Sequence, residues 1–423
     1  MYLELLNKLL WLIAISLILI NSIYLSIKLK FPQFKIIKAI KGIKNKSNKK
    51  DISPTDTLIM TLSSKIGVGS LSGTALCIYY GGIGTIFWMY ISSFILAIIN
   101  YVENALAIIY KDKENNKSGP PYYITKGLNN KKLAIIYSLL IIISYIFLFT
   151  SIQTNTISTL SNEILSTNKV LISVFVTLFS SIIILKGINT ISSICNKIFP
   201  FMMFIFILTG TIIMCKEIDT IPKLALNIIN EAFNKNSISG GIIYTIIITF
   251  QRSVFASEAG VGTSSIISGS TSSNDYRLQA RLGIISTYFI HFVVLGFTSL
   301  IIATSNINNI NLSNGIELTK ASFSYHLGLP GEFILITILV LFSFSTIITI
   351  YYYGESCLSF LTKSKKATIL LKLLTIISIF LGGIIKANNI WNLIDIFLAL
   401  LTIINMYAIF KLRKKIISKL IEK

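Results

Sequence analysis

Ser63-Ser64-Lys65-Ile66-Gly67-Val68-Gly69-Ser70-Leu71-Ser72-Gly73 lies inside a stretch apolar and long enough to cross a membrane, and its glycines interrupt that stretch. A second interruption, Phe255-Ala256-Ser257-Glu258-Ala259-Gly260-Val261-Gly262-Thr263, falls at the corresponding point of a similar second half. In lipid every backbone N–H and C=O must find a partner within the protein, so unwound chain at that depth is tolerated only where it is buried or lines a cavity. Glycine supplies the backbone freedom such a turn requires and lets a ligand approach closely. One such stretch could simply allow two helices to pack tightly, as small-residue motifs do. Two in matched positions point instead to the binding site of a secondary transporter.

Composition sets the frame for this reading. Of 423 residues 53% are hydrophobic and only 13% charged, against about 25% charged in a typical soluble domain; mean hydropathy is +0.75. This is an integral membrane protein. The net charge of +21 does not indicate a nucleic-acid partner, because the lysines cluster in short loops between apolar runs, where they set orientation in a bilayer. Cys77, Cys195, Cys215 and Cys357 lie in or at the ends of apolar runs and imply no disulfide framework. The first run, Leu9 to Leu29, lacks a basic leader and a convincing small-residue cleavage site, and reads as a retained helix.

A spanning helix needs about 20 mostly apolar residues. Hydropathy then predicts eleven spans, near 9–28, 54–80, 84–110, 132–158, 169–186, 198–216, 240–268, 279–304, 330–358, 366–386 and 391–411. The segment Lys28 to Lys50 carries nine lysines and no acid, and the loops at 111–132, 186–197, 269–281 and 361–366 are also basic. The intervening loops hold few or mixed charges. The positive-inside rule puts the basic set in the cytoplasm, with the N-terminus outside and the tail of Lys411, Arg413, Lys414 and Lys415 inside the cell membrane. Setting aside the first helix and its basic loop (1–53), ten spans divide into a repeat at 54–216, an external connector at 217–239 and an inverted repeat at 240–411, ahead of a basic tail at 412–423. Short surface helices are expected within 217–235 and 306–325, punctuated by Pro222 and Pro330. The expected fold is an all-α five-plus-five inverted repeat with one extra N-terminal helix.

At each interruption the half-helix that follows aims its free N–H groups at the cavity, a ready site for a carboxylate. Carbonyls freed just before it can hold a hard cation such as sodium. Glu258 adds an intramembrane carboxylate, costly unless paired or functional; it reads as a gate or as a clamp on the unwound chain, with Arg252 as its nearest partner in sequence. His291 and His326 stand apart, no metal-ligand cluster or catalytic constellation is visible, and neither an enzyme nor an organic cofactor is expected.

The chain resembles the alanine or glycine:cation symporter family. Gly67-Val68-Gly69-Ser70-Leu71-Ser72-Gly73 is similar to its G-T-G-N-I-A-G, and Arg252 through Thr263 to its R-G-L-F-S-N-E-A-G-M-G-S. Ile52-Ser53-Pro54, Gly81 through Met89 and Glu103 with Ala105-Leu106-Ala107 match neighbouring stretches. So do Gly119-Pro120-Pro121-Tyr122-Tyr123-Ile124, the pair Gln153 and Asn155, Phe342 through Thr346, Tyr352-Tyr353-Gly354-Glu355, and Trp391, Asp395 and Asn405. The resemblance covers roughly residues 30–410. It implies a fold similar to the leucine transporter's and import of a small neutral amino acid coupled to sodium or, in some members, protons. By that similarity Gly67, Gly69, Ser70 and Gly73 would face the substrate carboxylate. Gln153, Asn155, Phe255, Ser257, Gly260, Gly262, Thr263 and Ile350 would line the rest of the pocket. The carbonyls of Ser63 and Ile66, with Ser343, Ser345 and Thr346, would form the cation site.

Departures from the family pattern matter as much. Lys65 replaces a small polar residue; it either reaches water or places its ammonium in part of a cation site. A buried amine gives up its proton more readily than one in water, so a sodium-independent, proton-coupled transporter is one alternative. Ser70 and Ser257 replace asparagines, Ile350 a tryptophan and Ile404 a proline, and Ile290 falls near a position often held by aspartate. Loss of the tryptophan predicts a roomier pocket and a substrate larger than glycine. A transport-inactive sensor is the other alternative, but it would be expected to carry an output domain. The oligomeric state stays open, with a monomer the simplest expectation.

Overall fold

The computed structural model describes residues 2–35, 52–112, 114–234, 241–305, 307, 315–385 and 390–421. Most of the basic segment up to Lys50 therefore lies outside the described residues. Within them the chain is helical, and its one extended pairing is an isolated bridge between Asp112 and Lys117.

In chain order the helices are α1 (Tyr2–Lys28), α2 (Pro54–Lys65), α3 (Val68–Gly81), α4 (Thr85–Ile109), α5 (Pro120–Leu128), α6 (Lys131–Ile141) and α7 (Thr150–Leu165), the last two joined by a π-helical stretch at Ile142–Phe149. They continue as α8 (Lys169–Lys186), α9 (Ile188–Lys216), α10 (Ile221–Ala232), α11 (Gly241–Ser257), α12 (Thr263–Ser268), α13 (Tyr276–Tyr288) and α14 (Gly296–Thr304), where a second π-helical stretch at Phe289–Leu295 joins α13 to α14. The remainder are α15 (Ile316–Leu327), α16 (Leu329–Leu361), α17 (Lys365–Gly382) and α18 (Ile390–Leu420). Helix thus occupies every stretch where hydropathy expects a span; of the two short helices expected on the surface, α10 is largely exposed, whereas half of the residues of α15 are buried.

Eight of these runs are long and apolar enough to cross a membrane: α1, α4, α6 through α7, α8, α9, α13 through α14, α16 and α18. The other three stretches fall short for visible reasons. Two are divided by the interruptions, and α17 carries Lys365, Lys366 and Lys372. The chain is a multi-pass membrane protein.

The helices are arranged inside out relative to a soluble bundle. On α8 the inner face carries Ser173, Val176, Ser180 and Ile183, while Leu171, Phe175, Leu178 and Leu185 are more than half exposed. Apolar side chains on the outside cost nothing against lipid. Association must therefore come from close packing and inter-helix hydrogen bonds. Ser173 Oγ donates to the Phe380 carbonyl at 2.5 Å, and Ser22 Oγ to the Ile95 carbonyl at 2.8 Å. The α1 helix is fastened to α18 by the Trp11 indole, which donates to the Asp395 carbonyl at 3.1 Å.

The most extensive helix pairing is α4 with α13, and it turns on Gly283. A Cβ there would stand 2.6 Å from the Asn100 carbonyl oxygen, a backbone atom that cannot move aside. The Asn100 amide in turn donates to the Gly283 carbonyl at 3.2 Å and to Thr287 Oγ1 at 2.9 Å. Gly283→Val is expected to destabilise the protein by about 1–3 kcal/mol through overpacking, read as a lower midpoint of thermal unfolding in detergent. An unchanged midpoint would show that the two helices need not approach this closely.

Candidate functional site

The first interruption is shorter than its glycines suggest. Helix α2 runs to Lys65, Ile66 and Gly67 leave helical geometry, and α3 begins at Val68, so Gly69, Ser70 and Gly73 are helical. Gly67 is extended (φ −140°, ψ −154°), a conformation open to any residue. Glycine is required for space, because a Cβ would lie 2.7 Å from Thr346 Oγ1 and 2.8 Å from Gln153 Oε1. The second interruption, residues 258–262, needs glycine for another reason: Gly260 and Gly262 have φ of 98° and 97°. Glu258 at φ 52° is left-handed without being glycine, a strained placement that its contacts must hold.

Those contacts are explicit. Glu258 Oε2 accepts from Thr263 Oγ1 at 2.8 Å, across the unwound turn, and from the Tyr353 hydroxyl at 2.8 Å. The Tyr353 oxygen also lies 2.7 Å from Ser64 Oγ, which precedes the first interruption. Glu258 is therefore a clamp, and through Tyr353 it ties one unwound segment to the other. Arg252 is not its partner. The guanidinium donates to Asp395 Oδ2 at 2.6 Å and lies 5.6 Å from the Trp391 ring and 5.9 Å from the Phe255 ring.

A second carboxylate, Glu103 on α4, does similar work. Its Oε1 accepts from the Gly260 N–H at 3.0 Å and from the Asn405 amide at 2.6 Å. Asn405 also donates to the Gly260 carbonyl at 2.8 Å and accepts from the Tyr123 hydroxyl. Tyr137 donates to the Val261 carbonyl at 2.7 Å. These polar groups take the place of water around an unwound chain in lipid.

Four of the five cation-site residues expected from the sequence converge. Thr346 Oγ1 stands 3.1 Å from the Ser63 carbonyl oxygen, 3.0 Å from that of Ile66 and 2.9 Å from that of Phe342. Ser345 Oγ is 3.4 Å from the Ser63 carbonyl. Ser343 is buried on the same helix, but its hydroxyl has no hydrogen-bond partner among the described residues. A threonine hydroxyl has one proton, so it can satisfy one of three carbonyls. These oxygens gather at the C-terminal, negative end of α2.

The substrate-site residues divide. Gln153 Oε1 accepts from the Val68 N–H at 2.9 Å, and a Cβ on Gly69 would meet the Phe255 ring at 2.0 Å. Gln153 thus meets the α3 N-terminus at Gly67 and Val68, Phe255 meets it at Gly69, and Gly73, one turn on, faces Arg252. Phe255 stacks in turn on Phe149 and packs against Trp391. Ser70 and Ser257 donate within their own segments, to the Gly67 and Ser253 carbonyls at 2.8 and 2.7 Å. Gly260, Gly262 and Thr263 belong to the clamp, Gly262 lying against Pro120 and Asn405. Ile350 is fully buried on α16. Asn155 is placed elsewhere: its amide donates to the carbonyls of Gly382 at 3.1 Å and Ile385 at 2.6 Å, holding the end of α17.

Lys65 is 4% exposed and does not reach water. Its Nζ donates to Ser286 Oγ on α13 at 3.2 Å, away from the Ser63–Thr346 cluster. Sequence reasoning passed over Glu103, Tyr353 and Phe149 as site residues. Glu103 carried the signal that flagged Glu258, an intramembrane carboxylate.

The model of the sodium:alanine symporter family matches residues 1–422. A Bacillus subtilis (strain 168) protein named probable sodium/glutamine symporter GlnT is 30% identical over 423 residues, covering 98% of this chain and 88% of its own. The amino-acid carrier protein AlsT of the same organism is 28% identical over 394 residues, covering 92% and 84%. The sodium/alanine symporter AgcS of Methanococcus maripaludis is 27% identical over 420 residues, covering 95% and 92%.

Tyr353→Phe removes the hydroxyl that joins the two interruptions and leaves one Glu258 oxygen short of a donor. The expected loss is about 1–3 kcal/mol, read as a lower unfolding midpoint in detergent, with greater protease sensitivity near residues 258–262. A variant as stable as the parent on both measures would show that the two segments are held independently.

Proposed function

Because the chain belongs to the sodium:alanine symporter family, we propose that it imports a small neutral amino acid by sodium symport with alternating access. The observation that carries this reading is the Ser63–Ile66–Ser345–Thr346 cluster, where two carbonyls and two hydroxyls come together at an interrupted helix. Oxygen donors of this kind suit a hard cation. One helix turn away, the N-terminus of α3 presents the Gly69 backbone to the volume over which Phe255 packs, and backbone N–H groups there favour a carboxylate. Sodium and an amino acid thus share α3 and its preceding turn, so binding of each changes the surroundings of the other. Joint binding favours rocking of one helix group against the rest, and inward flux follows the sodium gradient and membrane potential.

The architecture we infer is the inverted five-plus-five repeat of eleven spans, N-terminus outside. Helices at every expected span, the matched interruptions and the alternating loop charges support it. The position of Lys65 Nζ, on Ser286 rather than on the Thr346 cluster, favours sodium over a lysine-borne proton at that cluster. Among the relatives, one is named for alanine and one for glutamine, and Ile350 in place of tryptophan favours the larger of such substrates over glycine.

Uptake of radiolabelled alanine and glutamine into proteoliposomes tests the proposal. Inward sodium is expected to drive uptake, an inward proton gradient alone is not, and Thr346→Ala is expected to lower the sodium-driven rate at least tenfold. Proton-driven uptake without sodium would overturn the sodium assignment. In a competition panel glycine is expected to inhibit less than alanine or glutamine; glycine as the strongest competitor would overturn the inference from Ile350.

A further inference from the structure

Lys65 is unexplained by the site described above, and its surroundings are unusual for an ammonium. It is buried where α2, α4 and α13 meet, and it forms no direct ion pair among the described residues. Its Nζ has one partner, Ser286 Oγ at 3.2 Å. That oxygen also accepts from the Asn100 amide at 3.1 Å and donates to the Gly283 carbonyl at 3.0 Å. Asn100 Oδ1 accepts from Ser264 Oγ at 2.7 Å, on the helix that follows the second interruption. The charges that Lys65 faces are Glu258 and Glu103, the two carboxylates that hold that interruption. Glu103 Oε2 has no hydrogen-bond partner among the described residues.

Buried carboxylates in a membrane need a compensating positive charge. Arg252 cannot give it, being spent on Asp395 at 2.6 Å. A small polar side chain at position 65 would leave this volume surrounded by hydroxyl and amide groups and facing two carboxylates, and a monovalent cation from solution would be the fitting occupant. We propose that the Lys65 ammonium is a resident substitute for such an ion. It permanently offsets one of the two negative charges of Glu103 and Glu258, so that this transporter binds one cation fewer than a version with a neutral residue at position 65. The assignment rests on the symport reading only for the ion at the Thr346 cluster.

The test counts sodium ions bound to the purified full-length protein, with radioactive sodium and no amino acid present. The parent is expected to bind one ion at saturation, lost in Thr346→Ala. Lys65→Ser is expected to bind two, a doubling, while Lys65→Arg stays at one. Lys65→Gln, which keeps an amide to meet Ser286 but carries no charge, repeats the measurement should the serine variant not fold. Two ions on the parent, or no gain in both neutral variants, would overturn the proposal, and the parent count stands whether or not the variants can be purified. No ion on the parent together with one on Lys65→Ser would overturn the sodium reading of the Thr346 cluster and support the role of Lys65.

Discussion

The Tyr353 hydroxyl stands between Ser64 and Glu258, at 2.7 and 2.8 Å, and thereby joins the two places where the chain abandons helical geometry. An unwound segment in lipid must have its freed polar groups satisfied from neighbouring elements. Here the neighbour serving both segments is α16. Thr346 and Tyr353 are seven residues apart on it, two helical turns and so the same face. One end of that face meets the carbonyls of Ser63 and Ile66; the other meets Glu258. An ion settling at the Thr346 end acts on a rigid helix whose other end holds the second interruption. This gives a physical route between the proposed ion site and the geometry of the second interruption.

The two interruptions are built unequally. The first is two residues long, with Gly67 extended and Val68 capped by Gln153. The second is five residues long, with three left-handed residues held by Glu103, Asn405, Tyr123, Tyr137 and Thr263. The short break is met by three side chains, Gln153 on the Val68 N–H, Thr346 at the Ile66 carbonyl and Ser70 on the Gly67 carbonyl, whereas the long one draws on more distant helices. The Ser63–Thr346 cluster and the α3 N-terminus that we propose as binding sites both adjoin the first break.

Much of this was legible before any coordinates. The positions of the helices followed from apolar run length, and the interruptions from glycines inside apolar runs. That Ser345 and Thr346 lie against the carbonyls freed at Ser63 and Ile66 was implied by the family resemblance rather than by any local pattern. Other pairings between distant elements were not legible. Arg252 is six residues from Glu258, and sequence proximity favoured that pair, yet the side chain turns to Asp395, 143 positions away. Asn155 looked like a partner of Gln153, but two residues apart on a helix they point in different directions, and Asn155 meets the end of α17. Glu103 was visible as a carboxylate in lipid; that it caps the Gly260 N–H depends on a packing of α4 and α18 that no local pattern encodes.

At the second interruption the groups that hold the unwound chain are distinct from those proposed to meet ligands, and this bears on the departures at Ser70 and Ser257. An asparagine at either position carries an amide long enough to reach across a pocket. The serines fold back instead, Ser70 onto the Gly67 carbonyl and Ser257 onto the Ser253 carbonyl, each satisfied within its own segment. The clamp through Glu258, Tyr353, Glu103 and Asn405 uses neither residue, so both positions can change without loosening the unwound chain. Two amides are thereby withdrawn from the space between the segments, and a tryptophan from α16 at Ile350. The scaffold tolerates this because its polar demands are met elsewhere. Under the proposed function, recognition of the substrate would fall more heavily on the backbone around Gly69, on Gln153 and on the aromatic side chains of Phe149, Phe255 and Trp391.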